Sequence, residues 1–164
     1  DCYSIVINDD DSCGLSEKIS VWLWKIGEVF MMKIVVAIDS LKGSLTSIQA
    51  GEAIEKGIKK VDLEAEVVIK PLADGGEGCL DAQTAMGKAP IGVAKLAKKY
   101  GKLVLGFSGA VTKGATACNE AGIDAYFPIV RSAVSLEDAM KKKNAQENLI
   151  DTVEQVFRVI KALK

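Results

Sequence analysis

MKIVVAIDSLKGSLTSIQAGEAIEKGI, residues 32–58, decides the fold class of this chain. Residues 33–38 form a short apolar run rich in β-branched side chains, which is typical of a buried strand. Beyond the loop that follows, Ile54, Ile58 and Val61 recur at helical spacing and predict a helix over residues 46–61. A strand that leads into an amphipathic helix is the usual opening of an α/β domain.

The same alternation continues to the end of the chain. Strands are predicted at residues 65–71, 102–107 and 124–130, and helices at 90–100, 113–121, 135–142 and 145–163. The last helix carries an apolar stripe of Leu149, Val153, Val156, Phe157, Ile160 and Leu163. This order predicts a Rossmann-like parallel sheet with helices on both faces, and in such sheets ligands bind at the carboxyl ends of the strands.

Composition narrows the classes of function. The chain has 164 residues, a net charge of -1 and no basic stripe, which argues against a nucleic-acid partner. It has no histidine, and its four cysteines are scattered, so neither a zinc site nor histidine catalysis is expected. Proton transfer would fall to Asp, Glu or Lys. No clean apolar stretch of about 20 residues predicts a membrane span, and the sequence is typical of a cytoplasmic protein.

Residues 1–31 differ from the rest of the chain. They carry a charge of -4, whereas residues 32–164 carry +3. Met31 and Met32 stand directly before the first predicted strand of the α/β pattern, so we expect residues 1–31 to be a translated leader and one of these methionines to be the natural start. The alternative is a real extension that packs as an extra hairpin, with strands at residues 3–8 and 21–26.

The loop at residues 39–46 offers a lysine, hydroxyl groups and a glycine where a helix begins. Free N–H groups at a helix start attract phosphate or carboxylate, and a lysine adds a positive charge. The alternative, which the pattern alone favours, is an ordinary turn in which Ser44 or Thr46 caps the helix. The loop at residues 108–114 is also more typical of an ordinary connection than of a nucleotide site.

A second loop, at residues 73–81, is rich in glycine and acid. Asp74, Glu77 and Asp81 provide the hard oxygen ligands that Mg²⁺ prefers, on a flexible backbone. One of these carboxylates could instead accept a proton from a substrate hydroxyl. A solvated surface turn is an equally good interpretation, since Asp and Gly are common turn residues.

Together these stretches resemble the glycerate kinase family, whose members phosphorylate D-glycerate with ATP. The matching sequences are MKIVVAIDSLKGSLTSIQAGEAIEKGI at 32–58, PLADGGEG at 71–78 and GEGCLDAQTAMGKAPIGVAKLAKKYGK at 76–102, and the resemblance extends to residue 164. In the family, ADGGEG lies near the N-terminus and GEG-x-x-DAQT near the C-terminus, with a long stretch between them. Here one Gly-Glu-Gly, at residues 76–78, serves both motifs.

The resemblance implies that this chain is the remnant of a discontinuous first domain of a two-domain kinase. Residues 32–78 would be its N-terminal half and residues 76–164 its C-terminal half, and the inserted second domain would be absent. An internal deletion or an assembly error would explain the join. Because the active site of the family lies in the cleft between its domains, the chain would be either a glycerate kinase or an inactive remnant that binds an anion or a nucleotide.

The resemblance also implies D-glycerate as substrate, ATP and Mg²⁺ as cofactors, and leaves a homodimer open. The expected catalytic residues are Asp39, Lys42, Asp74 and Glu77. The expected metal ligands are Asp74, Glu77 and Asp81. The expected nucleotide-binding residues are Ser40, Gly43, Ser44, Gly75, Gly76, Gly78, Gln83, Thr84 and Lys88.

Overall fold

A computed structural model describes residues 2–8, 32–38, 40–41, 43–72, 79–80 and 89–163. In chain order its strands are β1 (Cys2–Asn8), β2 (Lys33–Ile38), β3 (Glu66–Pro71), β4 (Cys79–Leu80), β5 (Leu103–Ser108), β6 (Ala110–Val111) and β7 (Ala125–Pro128). Its helices are α1 (Ser47–Lys59), α2 (Ala89–Lys99), α3 (Ala117–Glu120), α4 (Leu136–Met140) and α5 (Lys142–Ala162), with a 3-10 turn at Lys113–Thr116. The strand predicted at residues 21–26 lies outside the described residues.

The predicted α/β class is confirmed. The main sheet has the order β3-β2-β1-β5-β7. Strand β2 pairs in parallel with β3, and β5 pairs in parallel with β7. Strand β1 is antiparallel to both β2 and β5, so the other four strands all run in one direction. Four of the five strands therefore form the expected parallel arrangement, with one strand of opposite direction at the centre.

A strand at residues 3–8 was one of the two alternatives for the amino-terminal segment, but its place at the centre of the sheet was not predicted. Strand β1 pairs from Ser4 opposite Ala37 to Asn8 opposite Lys33, and on its other side from Cys2 opposite Ser108 onward. It comes from the acidic segment that we expected to be a leader or an extra hairpin. The leader hypothesis for residues 1–31 stays a prediction.

Helices cover both faces of the sheet. On one face, α1 and α5 pack on Ile34, Val36, Leu105 and Phe107 in a single buried cluster. On the other face, α2 and the short helix α3 enclose Val104 in a second cluster. Val104 and Leu105 are neighbours in β5 and point to opposite faces, as the alternation of side chains in a strand requires. Helices α1 and α5 therefore cover one face of the sheet, and α2 and α3 cover the other.

Sequence signals at the helix ends also correspond to the structure. Thr46 caps α1, because its Oγ1 accepts a hydrogen bond from the Gln49 backbone N–H at 3.3 Å. The Gln49 side chain accepts from the Thr46 N–H at 3.2 Å and completes a capping box. Ser135 caps α4 in the predicted way, since its hydroxyl accepts from the Asp138 N–H at 3.1 Å. Helix α5 begins at Lys142, three residues before the predicted start.

Helices α1 and α5 approach closely at Gly57. A Cβ atom at this position would lie 2.7 Å from the Ile150 carbonyl oxygen and 2.9 Å from the Val153 Cβ. We expect Gly57→Ala to lower the free energy of unfolding by about 2 kcal/mol, because the backbone of α5 would have to move. Gly92 is the matched control in α2: a Cβ there would meet nothing within 4 Å.

Urea denaturation of the two variants tests this packing. Gly92→Ala should raise the free energy of unfolding by roughly 0.5–1 kcal/mol, since alanine restricts the unfolded chain and favours a helix. Opposite signs for the two substitutions would confirm the close approach. A Gly57→Ala protein as stable as the parent would contradict it.

An exposed ionic network joins α5 to α1. Glu154 accepts hydrogen bonds from Lys60 Nζ at 2.9 Å and from Arg158 at 2.8 Å. The hydrogen bond from Lys60, followed by that from Arg158, holds the pKa of Glu154 below its ordinary value. The ion pair of Glu154 and Lys60 therefore stays charged at neutral pH.

Among the described residues, no helix is long and apolar enough to cross a membrane.

Candidate functional site

The carboxyl ends of β2, β3, β5 and β7 lie at one edge of the sheet, because these strands are parallel. This is the edge at which the sequence predicted a ligand site. The chain leaves β2 toward residues 40–45, leaves β5 toward residues 109–111 and leaves β7 toward residues 129–135. Three connecting segments from distant parts of the sequence therefore meet there.

A tight turn that contains Leu41, Gly43, Ser44 and Leu45 follows β2, and we call it the glycine turn. The Ser44 N–H donates to the Leu41 carbonyl at 2.8 Å, and the Leu41 N–H donates to the Leu45 carbonyl at 2.8 Å. Gly43 has a φ of +82°, in the left-handed region that favours glycine. A Cβ at this position would also lie 2.6 Å from the Met140 Cε of α4. The backbone conformation explains a glycine at this point in the motif, whereas the Met140 methyl group, at the end of a flexible side chain, could move away from a Cβ.

The structure distinguishes the two capping residues considered for this loop. Thr46 caps α1, whereas the Ser44 hydroxyl donates to the Leu41 carbonyl at 3.4 Å, a long contact. Ser44 therefore belongs to the turn, with its side chain at the wall of a cavity. Because the capping box uses the Gln49 N–H, that group of the α1 amino terminus is already occupied.

The cavity has a volume of about 300 Å³ and lies at the carboxyl edge of the sheet. Its aliphatic walls come from the glycine turn, the segment after β7, and helix α4: Leu41, Ile129, Val130, Leu136 and Met140. Gly109 and Ala110, from the segment after β5, also line the cavity. Ser44 and Asn148 are the polar residues among the described lining residues. The described wall of the cavity is thus mainly apolar, with two side chains that can form hydrogen bonds.

The segment after β5 is held by hydrogen bonds. Ser108 is fully buried, and its hydroxyl donates to the Ala110 carbonyl at 2.8 Å. Strand β6 then pairs in parallel with β4, so that Cys79 lies opposite Ala110. The Leu72 N–H donates to the Ile38 carbonyl at 2.7 Å, at the end of β2. The two described neighbours of segment 73–78, Leu72 and Cys79, therefore both lie at the carboxyl edge.

Three of the predicted site residues fall within the described part of the chain: Ser40, Gly43 and Ser44. Ser40 is half-buried directly after β2, and the other two lie in the glycine turn. The remaining predicted residues lie outside the described residues: Asp39, Lys42, Asp74, Gly75, Gly76, Glu77, Gly78, Asp81, Gln83, Thr84 and Lys88. Among the described residues, no group of three carboxylate or thiol side chains could hold a metal ion.

Asn148 and Met140 are cavity residues that the sequence did not indicate. They lie on α5 and α4, far along the chain from every glycine-rich motif. Asn148 is a polar position in an amphipathic helix, which in sequence is indistinguishable from a solvated position. The side chain becomes a candidate only when the helix is placed against the sheet.

The parallel strands, the glycine turn and the cavity define an α/β domain with a cavity at the carboxyl edge of its sheet, the edge at which such domains bind their ligands. The model of the Glycerate kinase family matches this chain twice, over residues 34–82 and 76–161. These matches cover most of the sequence and overlap at residues 76–82. The chain belongs to the glycerate kinase family.

Individual relatives agree with the family match. The glycerate kinase of Bacillus subtilis is 41% identical over 122 residues, which are 73% of this chain and 31% of that protein. The glycerate kinase of Haemophilus influenzae is 37% identical over 121 residues, 71% of this chain and 30% of that protein. The glycerate 2-kinase of Escherichia coli is 38% identical over 95 residues, 56% of this chain and 25% of that protein. The chain thus spans between a quarter and a third of the length of these relatives.

Proposed function

We propose that this chain carries the site of a glycerate kinase, which transfers the γ-phosphoryl group of ATP to a hydroxyl of D-glycerate. The observation that carries the proposal is the family match over residues 34–82 and 76–161. These two ranges include the segments that follow β2, β3 and β5. The geometry supports it, because the described parts of the segments after β2 and β5 line one cavity.

The turn after β2 is assigned to anion binding. Asp39, Ser40, Lys42 and Ser44 would contact phosphate or the carboxylate of glycerate. Lys42 stands in sequence between Leu41 and Gly43, whose turn lies at the carboxyl edge. A lysine supplies a positive charge to a phosphate, and backbone N–H groups beside a glycine can approach the anion closely. The same turn contributes Leu41 and Ser44 to the cavity wall.

The acidic segment is assigned to Mg²⁺ or to proton transfer. Asp74, Glu77 and Asp81 are hard oxygen donors, the chemistry that Mg²⁺ requires. When bound, Mg²⁺ would neutralise charge on the phosphates of the nucleotide. If one carboxylate is free of metal, it can accept the proton of the substrate hydroxyl. Gly75, Gly76, Gly78, Gln83, Thr84 and Lys88 are assigned to nucleotide binding in the same part of the sequence.

The chain's length supports a second candidate function. Residues 76–82 belong to both family matches, which is the pattern expected if two distant parts of a longer relative have been joined at Gly-Glu-Gly. On this proposal the inserted domain, and with it one wall of the cleft, is absent. Phosphoryl transfer depends on a closed site that positions the reactants. The second candidate is therefore a remnant that binds an anion or nucleotide without turnover, in the cytoplasm in either case.

A coupled assay of ADP formation with D-glycerate distinguishes the two candidates. For an active kinase, ADP formation depends on glycerate, and Lys42→Ala should lower kcat/KM by at least about 100-fold, the scale for losing a group that stabilises transition-state charge. Lys95→Ala is the matched control, since Lys95 is an exposed lysine on α2. It should leave the rate unchanged.

The remnant gives a different result. It binds a nucleotide or an anion such as phosphate, but glycerate produces no ADP above the background rate at any enzyme concentration. If the folded chain bound neither nucleotide nor phosphate and formed no ADP, both candidate functions would be wrong.

A further inference from the structure

We infer that the cavity at the carboxyl edge binds the purine base of the nucleotide donor, with Asn148 as the side chain that recognises the edge of the base. The inference rests on the proposed function, because it assigns a subsite within a nucleotide-dependent kinase. It names residues of α4 and α5 that none of the sequence motifs contains.

The chemistry of the walls favours a neutral, flat ligand. Leu41, Ile129, Leu136 and Met140 line the cavity, and none of the described lining residues has a charged side chain. Glycerate is a small anion, and these aliphatic side chains would offer its carboxylate no partner. A purine base is uncharged and has two apolar faces. Of the two substrates of the proposed reaction, the nucleotide base fits this lining.

The size of the cavity agrees with a ligand of that kind. Its volume of about 300 Å³ lies at the lower end of the range for small-molecule sites, roughly 300–1,000 Å³. Sites of this type are mainly apolar and have a few polar groups that fix the orientation of the ligand. Here those groups are the Ser44 hydroxyl and the Asn148 carboxamide.

Asn148 is suited to recognition because its carboxamide is available. The Asn148 backbone carbonyl accepts a hydrogen bond from Thr152 Oγ1 at 2.8 Å. Its side chain is half-buried and has no hydrogen bond to another residue in the described part of the chain. A carboxamide offers a donor and an acceptor side by side, which match a ring nitrogen and the amino group of adenine. A bound adenine would therefore satisfy both atoms.

The position of the cavity is consistent with a bound nucleotide. Leu41 and Ser44 belong both to its wall and to the glycine turn that is assigned to anion binding. A base in the cavity would place the ribose and phosphates beside this turn. One ligand would then contact both the glycine turn after β2 and the helices α4 and α5.

Calorimetric titration of the full chain with adenosine, ATP and tripolyphosphate tests the inference. Asn148→Ala should weaken adenosine and ATP binding by roughly 10-fold, the effect of losing a paired hydrogen bond to a base. Ala139→Leu should have an effect of similar size, because it places a larger side chain in the cavity wall. Tripolyphosphate, which has no base, should bind all variants equally.

Two further variants complete the design. Gln155→Ala removes a carboxamide from the same helix at a position that lines a different groove, beside β7, and it should leave all three affinities unchanged. Asn148→Asp keeps the shape of the side chain but cannot donate to a ring nitrogen, so it should also weaken adenosine binding. Circular dichroism confirms that each variant is folded.

The outcomes separate the inference from the function on which it rests. If ATP binds the parent chain and every folded Asn148 and Ala139 variant with equal affinity, the base binds elsewhere and the inference is wrong, while the proposed kinase is unaffected. If the folded parent chain binds no ATP, both the inference and the proposed function are overturned.

Discussion

Removing residues 1–8 is expected to abolish the cooperative unfolding of this chain. These residues contain β1, which lies between β2 and β5 and pairs with both. Without it, β2 and β5 would be separated by a gap of about 10 Å, two strand spacings, and each would have an unpaired edge. Both strands contribute side chains to the same buried cluster, which would open.

A point substitution makes the same test without shortening the chain. Ile5 lies opposite Val36 of β2 and Leu105 of β5. Ile5→Pro removes one backbone donor from the centre of the sheet and should lower the free energy of unfolding by roughly 3 kcal/mol or more. Ile5→Val is the control, since it keeps the N–H and the strand preference.

Thermal unfolding followed by circular dichroism measures both effects. We expect a broad, non-cooperative transition for the shortened chain, a transition at a clearly lower temperature for Ile5→Pro, and a transition close to that of the parent for Ile5→Val. A chain that begins at Met32 and unfolds as sharply as the parent would contradict the role of β1. It would at the same time favour the hypothesis that residues 1–31 are a leader.

Phe157→Ala is the substitution with the next largest expected effect. Phe157 is fully buried on α5, in the cluster that also contains Ile54 and Ile58 of α1. Truncating a buried phenylalanine to alanine costs about 3–5 kcal/mol, through lost apolar burial and the cavity left behind. Because domains of this size are stable by only about 5–15 kcal/mol, the variant should be close to unfolding.

Urea denaturation at constant protein concentration measures the difference. Val159→Ala, two residues along the same helix, is the control, since Val159 is 60% exposed and should change stability by less than about 0.5 kcal/mol. A loss below 1 kcal/mol for Phe157→Ala would mean that α5 does not pack on the sheet as described.

The sequence predicted local structure well where one element determines its own pattern. The periodicity of α1 indicated Ile54 and Ile58, and both are fully buried. Ser135 indicated the start of α4, because a cap is a contact between residues three positions apart. Leu163 shows the limit of such patterns: it belongs to the predicted stripe of α5 but is 83% exposed. Periodicity shows which side of a helix is apolar, and the packing partner decides which part of that side is covered.

The candidate site also contains one feature that the sequence indicated and one that it did not. The glycine turn was visible as a motif, and Gly43 has the positive φ that explains its residue type. The cavity was not visible, because its walls come from Leu41, Ile129, Met140 and Asn148, which lie in separate elements. No local pattern connects positions that are about 100 residues apart in the chain.

By itself, the sequence determined the α/β alternation, the helix caps and membership of the glycerate kinase family, since these depend on residues near one another or on motifs compared as strings. Only the tertiary structure decided that β1 enters the centre of the sheet in the opposite direction, and that α4 and α5 enclose a cavity beside the glycine turn. The physical reason is that strand order and cavity walls depend on long-range pairing, and the contacts that stabilise this pairing form between strand edges and helix faces that are far apart in the sequence.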